Sequence, residues 1–249
     1  MTLTANSKPI PVLVYHQIDN APAKGAPFRS LYVSPSAFAR QMGLLDLLGY
    51  KGLSMSELLP YLSGELKGKV VGITFDDGYV NNLVHALPAL ERHGFSSTCY
   101  AVSSLAGKTN VWDQKIGIAQ TPLMNAVQMR EWVDKGQEIG CHTLSHARLT
   151  DIDDAQALAE IAIGKVELEA ALCVPIQHFC YPYGDYRRVH ADMARTQGFD
   201  TATTTRRSRC LPGTSMLEVP RVPVLKSTSL PLFWLKISSG YEDRKSHVL

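Results

Sequence analysis

The sequence predicts an α/β domain, a barrel-like ring of about seven parallel strands with helices around it. Three observations point there. β-prone apolar runs alternate with stretches of helical periodicity along the chain. Polar clusters follow directly on several of those runs, at the strand ends where parallel α/β folds bind ligands. The chain has 249 residues, 45% hydrophobic and 19% charged, which suits one globular domain over 1–249 with a large core. No internal repeat, low-complexity tract or linker divides it.

The elements follow in order. Ile10 to Tyr15 reads as a first strand that delivers His16, and a Gly/Pro/Ser loop over 19–33 comes next. Ser34-Pro35 has the form of a cap followed by proline at the first helical position, and Phe38, Met42, Leu45 and Leu48 repeat at helical spacing up to Gly49. Val70 to Phe75 is a buried strand. Asn81 to His93 is helical, and Pro88 must kink it or start its second half. Ser97 to Val102 is a strand, and 103–124 is a long loop carrying Trp112-Asp113. Then come a helix from Asn125 to Lys135, a strand from Glu138 to Cys141 delivering His142, and a helix opened by Asp153 and Asp154 that runs to Leu172. His178 to Tyr181, Phe199 to Thr204 and Glu218 to Val224 read as strands, with a helix from Val189 to Gln197.

A formal net charge of +2 gives no reason to expect nucleic acid or a membrane surface as partner, and no run approaches the length of a membrane-spanning helix. The five cysteines (Cys99, Cys141, Cys173, Cys180 and Cys210) form no C-x-x-C pair and are expected to be reduced thiols. Met1 to Pro9 is polar, with no apolar signal core. A cytoplasmic location is therefore expected, or a secreted or periplasmic one if a leader has been removed.

Four features carry candidate chemistry. Residues 73–79 read Ile-Thr-Phe-Asp-Asp-Gly-Tyr, so the strand stops at two adjacent carboxylates. Side chains next to each other on an extended segment point to opposite sides. One aspartate can then bind a metal while the other handles a proton; the structural alternative is a plain Asp-Asp-Gly turn. In His142-Thr-Leu-Ser-His146, two histidines four apart lie on one side of a helical turn and can reach one metal ion, or they are two surface histidines. His142, His146 and one aspartate would give three ligands with an open fourth position. Tyr181-Pro182-Tyr183-Gly184 is a tight turn that can aim backbone N–H groups at an oxyanion, or only a turn. His16 is a general acid or a structural histidine. Arg221 orients a carboxylate or lies on the surface, Trp112 is a sugar-stacking platform or core, and Arg206, Arg207 and Arg209 form a solvated basic loop.

Taken together, Thr-Phe-Asp-Asp-Gly-Tyr, His-Thr-x-x-His and Tyr-Pro-Tyr-Gly resemble the motifs of the polysaccharide deacetylase family (NodB-like, carbohydrate esterase family 4). They stand in that family's order and spacing, and the resemblance spans about residues 10–225. It implies a distorted (β/α) barrel and metal-dependent hydrolysis of an N-acetyl group on a sugar or polysaccharide. Asp77, His142 and His146 would hold the metal, usually zinc, with cobalt or nickel as alternatives. Asp76 would be the general base toward the water that such a metal activates, and the Tyr183 N–H would help to hold the oxyanion.

Two departures from the family pattern stand out. Arginine usually lies two residues before the proline of the third motif, where this chain has Cys180; Arg221 is its expected replacement. The general-acid histidine usually comes late, and the late histidine here is His247, close to the C-terminus. The branch acting on poly-N-acetylglucosamine looks circularly permuted, with that histidine in an N-terminal Tyr-His segment. Val14-Tyr15-His16 resembles it, which makes His16 the expected acid. A polymer, a lipid-linked sugar and a nucleotide sugar all stay open as substrate. Two other readings compete: an amidohydrolase of a non-sugar amide or cyclic imide, and a carbohydrate-binding relative without catalysis.

Overall fold

Strand β1 (Val12–Tyr15) enters the structure fully buried, and β2 (Gln17–Ile18) pairs with β3 (Tyr32–Val33) beside the loop between them. The computed structural model describes residues 8–245. Helix α1 (Pro35–Leu47) starts where the sequence indicates, with the Ser34 hydroxyl accepting from Ala37 N. Among the elements not anticipated are β4 (Lys51–Leu53) and α2 (Met55–Leu62). The strand is only three residues long and the helix carries Pro60, so neither produces a readable period. Next come β5 (Val70–Phe75), a π-helical turn over Asn82–Ala86, and α3 (Leu87–His93). The wide turn lets Pro88 sit in the first turn of α3, so proline begins the second half of this segment.

The remaining chain alternates as read through β6 (Thr98–Ala101), α4 (Ala126–Asp134), β7 (Glu138–Cys141), α5 (Asp154–Leu172), β8 (His178–Cys180), α6 (Arg188–Thr196), β9 (Thr201–Arg207) and β10 (Val219–Pro223), and an unanticipated helix α7 (Leu230–Ser238) follows. Seven of these strands close into a parallel ring, β1-β5-β6-β7-β8-β9-β10, through the β1–β5 and β1–β10 pairings. Strand β4 lies outside the ring. It pairs with the first half of β5 (Lys51↔Val70 to Leu53↔Gly72), and β6 takes the second half (Thr74↔Thr98, Phe75↔Cys99).

The two-residue period of each strand decides what fills the ring. On β5, Val71, Ile73 and Phe75 join the large core between strands and helices, while Val70 joins the small inner cluster with Val12, Tyr100, Cys180 and Val219. Met55 and Leu58 of α2 close that cluster from below. At the lower end, Ser56 Oγ lies 2.8 Å from His178 Nε2, His178 Nδ1 lies 2.8 Å from Thr201 Oγ1, and Met55 N donates to Glu138 Oε2 at 3.1 Å. This end of the ring is therefore plugged by satisfied polar groups. The same alternation makes Asp76 an inward residue at the upper end. All five cysteines are free, and no helix among the described residues is long and apolar enough to cross a membrane.

Of the basic cluster, Arg206 is exposed at the end of β9, but Arg207 and Arg209 are not free in a solvated loop. Arg207 pairs at 2.7 Å with Glu242, which is fully buried, and Lys236 reaches the same carboxylate at 2.6 Å. Arg209 pairs with Asp243 at 2.7 Å. These ion pairs tie the end of β9 and the bend after it to the segment that follows α7. Removing one partner of a buried pair strands the other charge, at a cost of about 3–5 kcal/mol. Glu242→Ala is therefore expected to lose unfolding free energy in that range, read as a lower urea midpoint. A midpoint equal to wild type would show that the segment contributes no stability.

Candidate active site

The upper ends of β1, β5, β7, β8, β9 and β10 open into a cavity of about 460 Å3 lined by His16, Asp76, Asp77, His142, His146 and Tyr183, among others. Each polar group arrives on a strand end, and several of the turns that follow are left-handed. Asp77 (φ 75°), Thr143 (φ 66°), His146 (φ 63°) and Tyr183 (φ 60°) all occupy a backbone region that non-glycine residues rarely visit. His142 and His146 do not lie on a helical turn. Residues 142–146 form an irregular loop, and the left-handed Thr143 and His146 bring both rings over the mouth.

Asp76 is held by Arg221. The guanidinium is fully buried and bonds both carboxylate oxygens, Nη1 to Oδ1 at 2.6 Å and Nη2 to Oδ2 at 2.7 Å. Its other donors reach Thr204 O at 2.9 Å and Thr74 Oγ1 at 3.1 Å, and Nη2 also lies 3.2 Å from Cys180 Sγ. Arg221 is thus not a surface arginine, and it occupies the space around Cys180. Burial works to raise the Asp76 pKa, but the guanidinium outweighs it and holds the carboxyl below its usual range. His16 Nε2 stands 4.0 Å from Asp76 Oδ2, and its carbonyl accepts from Asn82 Nδ2 at 2.9 Å.

Asp77 faces the histidines instead. His142 Nε2 and His146 Nε2 lie 3.5 and 3.3 Å from Asp77 Oδ1, and all three residues are buried. Two ligands on one tetrahedral zinc stand about 3.3 Å apart, so these separations fit a shared ion. His142 Nδ1 donates to Cys180 O at 2.8 Å, which leaves its Nε2 lone pair toward the cavity. Burial pushes His146 toward its neutral form, as a ligand requires. Burial opposes protonation of His142 too, yet the adjacent Cys180 and Asp77 groups raise its pKa. A second set, Asp76, His142 and Cys180, also comes close enough for a metal, but both Asp76 oxygens there are taken by Arg221. The set Asp77, His142 and His146 is the one that fits a divalent cation.

Trp112 stacks on the His146 ring (4.2 Å between centroids, 19° between planes), and Tyr183 meets that ring edge-on at 4.7 Å. The Tyr183 turn is tight, since a Cβ on Gly184 would run into the Thr205 side chain. Phe28, Leu31, Ile116, Ile118 and Leu225 make much of the wall apolar. Among the lining residues given no role from the sequence are Tyr79, Arg148 and Phe28. Tyr79 ends the Asp-Asp motif and lines the cavity beside Asp77, so its adjacency was a usable signal. Arg148, two residues past His146, lies over the Tyr183 ring at 4.0 Å. Phe28 has no sequence signal; it is half exposed in a left-handed turn (φ 51°). His247 lies outside the described residues.

A profile of the polysaccharide deacetylase family matches residues 63–202. YxkH of Bacillus subtilis (strain 168), provisionally named a polysaccharide deacetylase, is 27% identical over 232 residues, covering 92% of this chain and 76% of that protein. Among solved structures, the deacetylase PplD of Streptococcus pyogenes, in complex with acetate, is similar with a TM-score of 0.80. That match is 24% identical and covers 94% of this chain and 100% of PplD, so the likeness is one of fold. IcaB from Ammonifex degensii is 25% identical with a TM-score of 0.77, covering 93% and 97% of the two chains.

The Arg221–Asp76 pair makes its own prediction. Arg221→Met leaves a buried carboxylate uncompensated and is expected to cost about 3–5 kcal/mol in a denaturant melt at neutral pH. Arg221→Lys should also destabilise, because an ammonium does not reproduce the two-pronged bond. With its folded pKa depressed, Asp76 contributes stability above the unfolded value of about 3.9 and loses it as pH falls through the folded value. The gap between wild type and variant should therefore close in acid. A variant as stable as wild type at pH 7 would show that Asp76 has another counter-charge.

Proposed function

Since the chain belongs to the polysaccharide deacetylase family, we propose that it is a metal-dependent hydrolase that removes N-acetyl groups from an N-acetylated sugar polymer and releases acetate. The observation that carries this reading is the pairing of two unlike aspartates: Asp77 shared by two imidazoles, and Asp76 kept ionised by a guanidinium. A binding module has no evident use for that second, charge-tuned carboxylate.

Asp77, His142 and His146 would hold the ion, with zinc suited to two imidazoles and a carboxylate. When bound, the metal would polarise the amide carbonyl and make water a better nucleophile. Asp76 then takes the proton of the attacking water, a role open only to an ionised carboxylate. The new bond joins the water oxygen to the acetyl carbon. The Tyr183 N–H donates to the carbonyl oxygen as it becomes an oxyanion. His16 gives a proton to the departing nitrogen as the C–N bond breaks, leaving a free amine and acetate. Trp112 closes one side of the cavity and is available to the apolar face of a sugar ring.

The apolar wall formed by Phe28, Leu31, Ile116, Ile118 and Leu225 favours one alternative, a smaller apolar amide as substrate. Acetate release from short N-acetylglucosamine oligomers, with zinc or cobalt added and with a chelator control, separates the two. Metal-dependent release is expected; no release from metal-loaded protein would leave the smaller amide. Asp76→Asn should keep its metal and lose about 10²–10⁴-fold in turnover, and full activity would remove Asp76 as the base. His146→Ala should lose the metal, and unchanged metal content would break the ligand assignment.

A further inference from the structure

The two histidines of the site are steadied in different ways. His142 is oriented through its ring, by the bond from Nδ1 to Cys180 O at 2.8 Å. His146 has no such bond: its Nδ1 is buried and has no hydrogen-bond partner among the described residues. Its ring neighbours are Trp112, stacked on its face, and His142 and Tyr183, which meet it edge-on. Ring contacts of this kind let an imidazole slide. A histidine that binds metal almost always has its second nitrogen hydrogen-bonded. The direction of His146 must therefore come from its backbone.

That backbone is costly to hold, because left-handed conformations at Thr143 and His146 each cost about 1–3 kcal/mol. Within the loop, His146 N donates to Thr143 Oγ1 at 3.0 Å. From one side, Ser103 N and Ser104 N donate to Thr143 O and Leu144 O at 3.3 and 3.0 Å. From the other side the loop is gripped by α5. The Glu160 main-chain carbonyl accepts from Leu144 N at 2.9 Å, and its carboxylate accepts from Ser145 N at 2.9 Å and from Ser145 Oγ at 2.6 Å. One turn further on, Gly164 lies against the loop so closely that a Cβ would stand 2.8 Å from Thr143 C and 2.9 Å from Leu144 N. Positions 160 and 164 share one face of the helix. One presents a carboxylate there, and the other bare backbone.

We infer that Glu160, acting through Ser145, is a positioning residue for His146. Its three bonds fix the two residues before His146 and so aim the ring at Asp77. The inference rests on Asp77, His142 and His146 being metal ligands. Support of this kind typically changes metal affinity by about 10–100-fold.

Cobalt titrated into the metal-free full chain tests it, because both affinity and the visible spectrum of bound cobalt report the ligand geometry. Glu160→Ala removes both side-chain bonds and should bind cobalt about 10-fold more weakly, with altered visible bands. Glu160→Gln keeps one acceptor and should fall between that variant and wild type. Ser145→Ala keeps the Glu160 charge and removes one bond, and it should also bind more weakly than wild type. Because it deletes only an exposed hydroxyl, it carries the test if Glu160→Ala does not fold. Unchanged affinity and spectrum in the folded variants overturn the inference. So does a pure charge effect, in which Glu160→Gln matches Glu160→Ala and Ser145→Ala matches wild type. If the wild-type chain takes up no cobalt, the ligand reading itself fails, a result distinct from equal binding by all variants.

Discussion

Arg221 lies on β10 and Asp76 directly after β5, strands that do not neighbour each other, since β1 runs between them. The guanidinium crosses the inside of the ring to reach the carboxylate, and on the way touches groups from β5, β8 and β9. It also lies 5.9 Å from the Tyr100 ring of β6. Two charges taken out of water together cost several kcal/mol each unless every remaining donor finds a partner. Here the donors do: Asp76 takes two of them, and Thr74, Thr204 and the Cys180 sulfur take the rest. Every donor of Arg221 is therefore satisfied, above the inner cluster of Val12, Val70, Tyr100 and Val219. Such a pair is a poor source of net stability. What it achieves is a carboxylate that stays ionised in a buried place, and that requirement sets which residues can stand around it.

The left-handed residues at the mouth belong to the same economy of position. A strand end can send a side chain up or in, but not sideways over the opening. Asp77, Thr143, His146 and Tyr183 turn the chain within one residue, and the groups that follow lie across the cavity. Each turn is over-determined by bonds from its surroundings, Thr205 Oγ1 to Tyr183 O at 3.2 Å being one and the α5 contacts to the histidine loop another. Strain that clusters where bonds are densest is a common property of sites built for a reaction.

Much of this was legible beforehand. The alternation of strand and helix was readable because the longer segments carry clear periods, and Ser34, Asn125 and Asp153 cap helices where the sequence indicates. The polar clusters were readable because acidic or imidazole groups directly after an apolar run mark a strand mouth. Other features depend on contacts that no local pattern encodes. Thr143 gives no sign of its left-handed backbone, so the His-x-x-x-His spacing looked helical. Arg221 looks like any arginine between prolines, and its partner is 145 residues away. Arg206, Arg207 and Arg209 read as a loop because Glu242 and Asp243, which pair with two of them, come much later in the chain. Glu160 is one glutamate among several on α5, and only the packing of that helix against the loop distinguishes it.

The closure of the ring has a consequence for how the protein is made. Strand β1 precedes the other barrel strands in the chain, yet its two neighbours are β5 and β10, and Leu13 pairs with Val222. Once β5 is made, one edge of β1 is covered. The other stays unpaired until β10 is made, and a bare strand edge is a template for pairing with other chains. Contacts so distant in sequence also form slowly. The last barrel strand to appear both seals that edge and carries Arg221, so the nascent chain is protected and Asp76 gains its counter-charge in a single event.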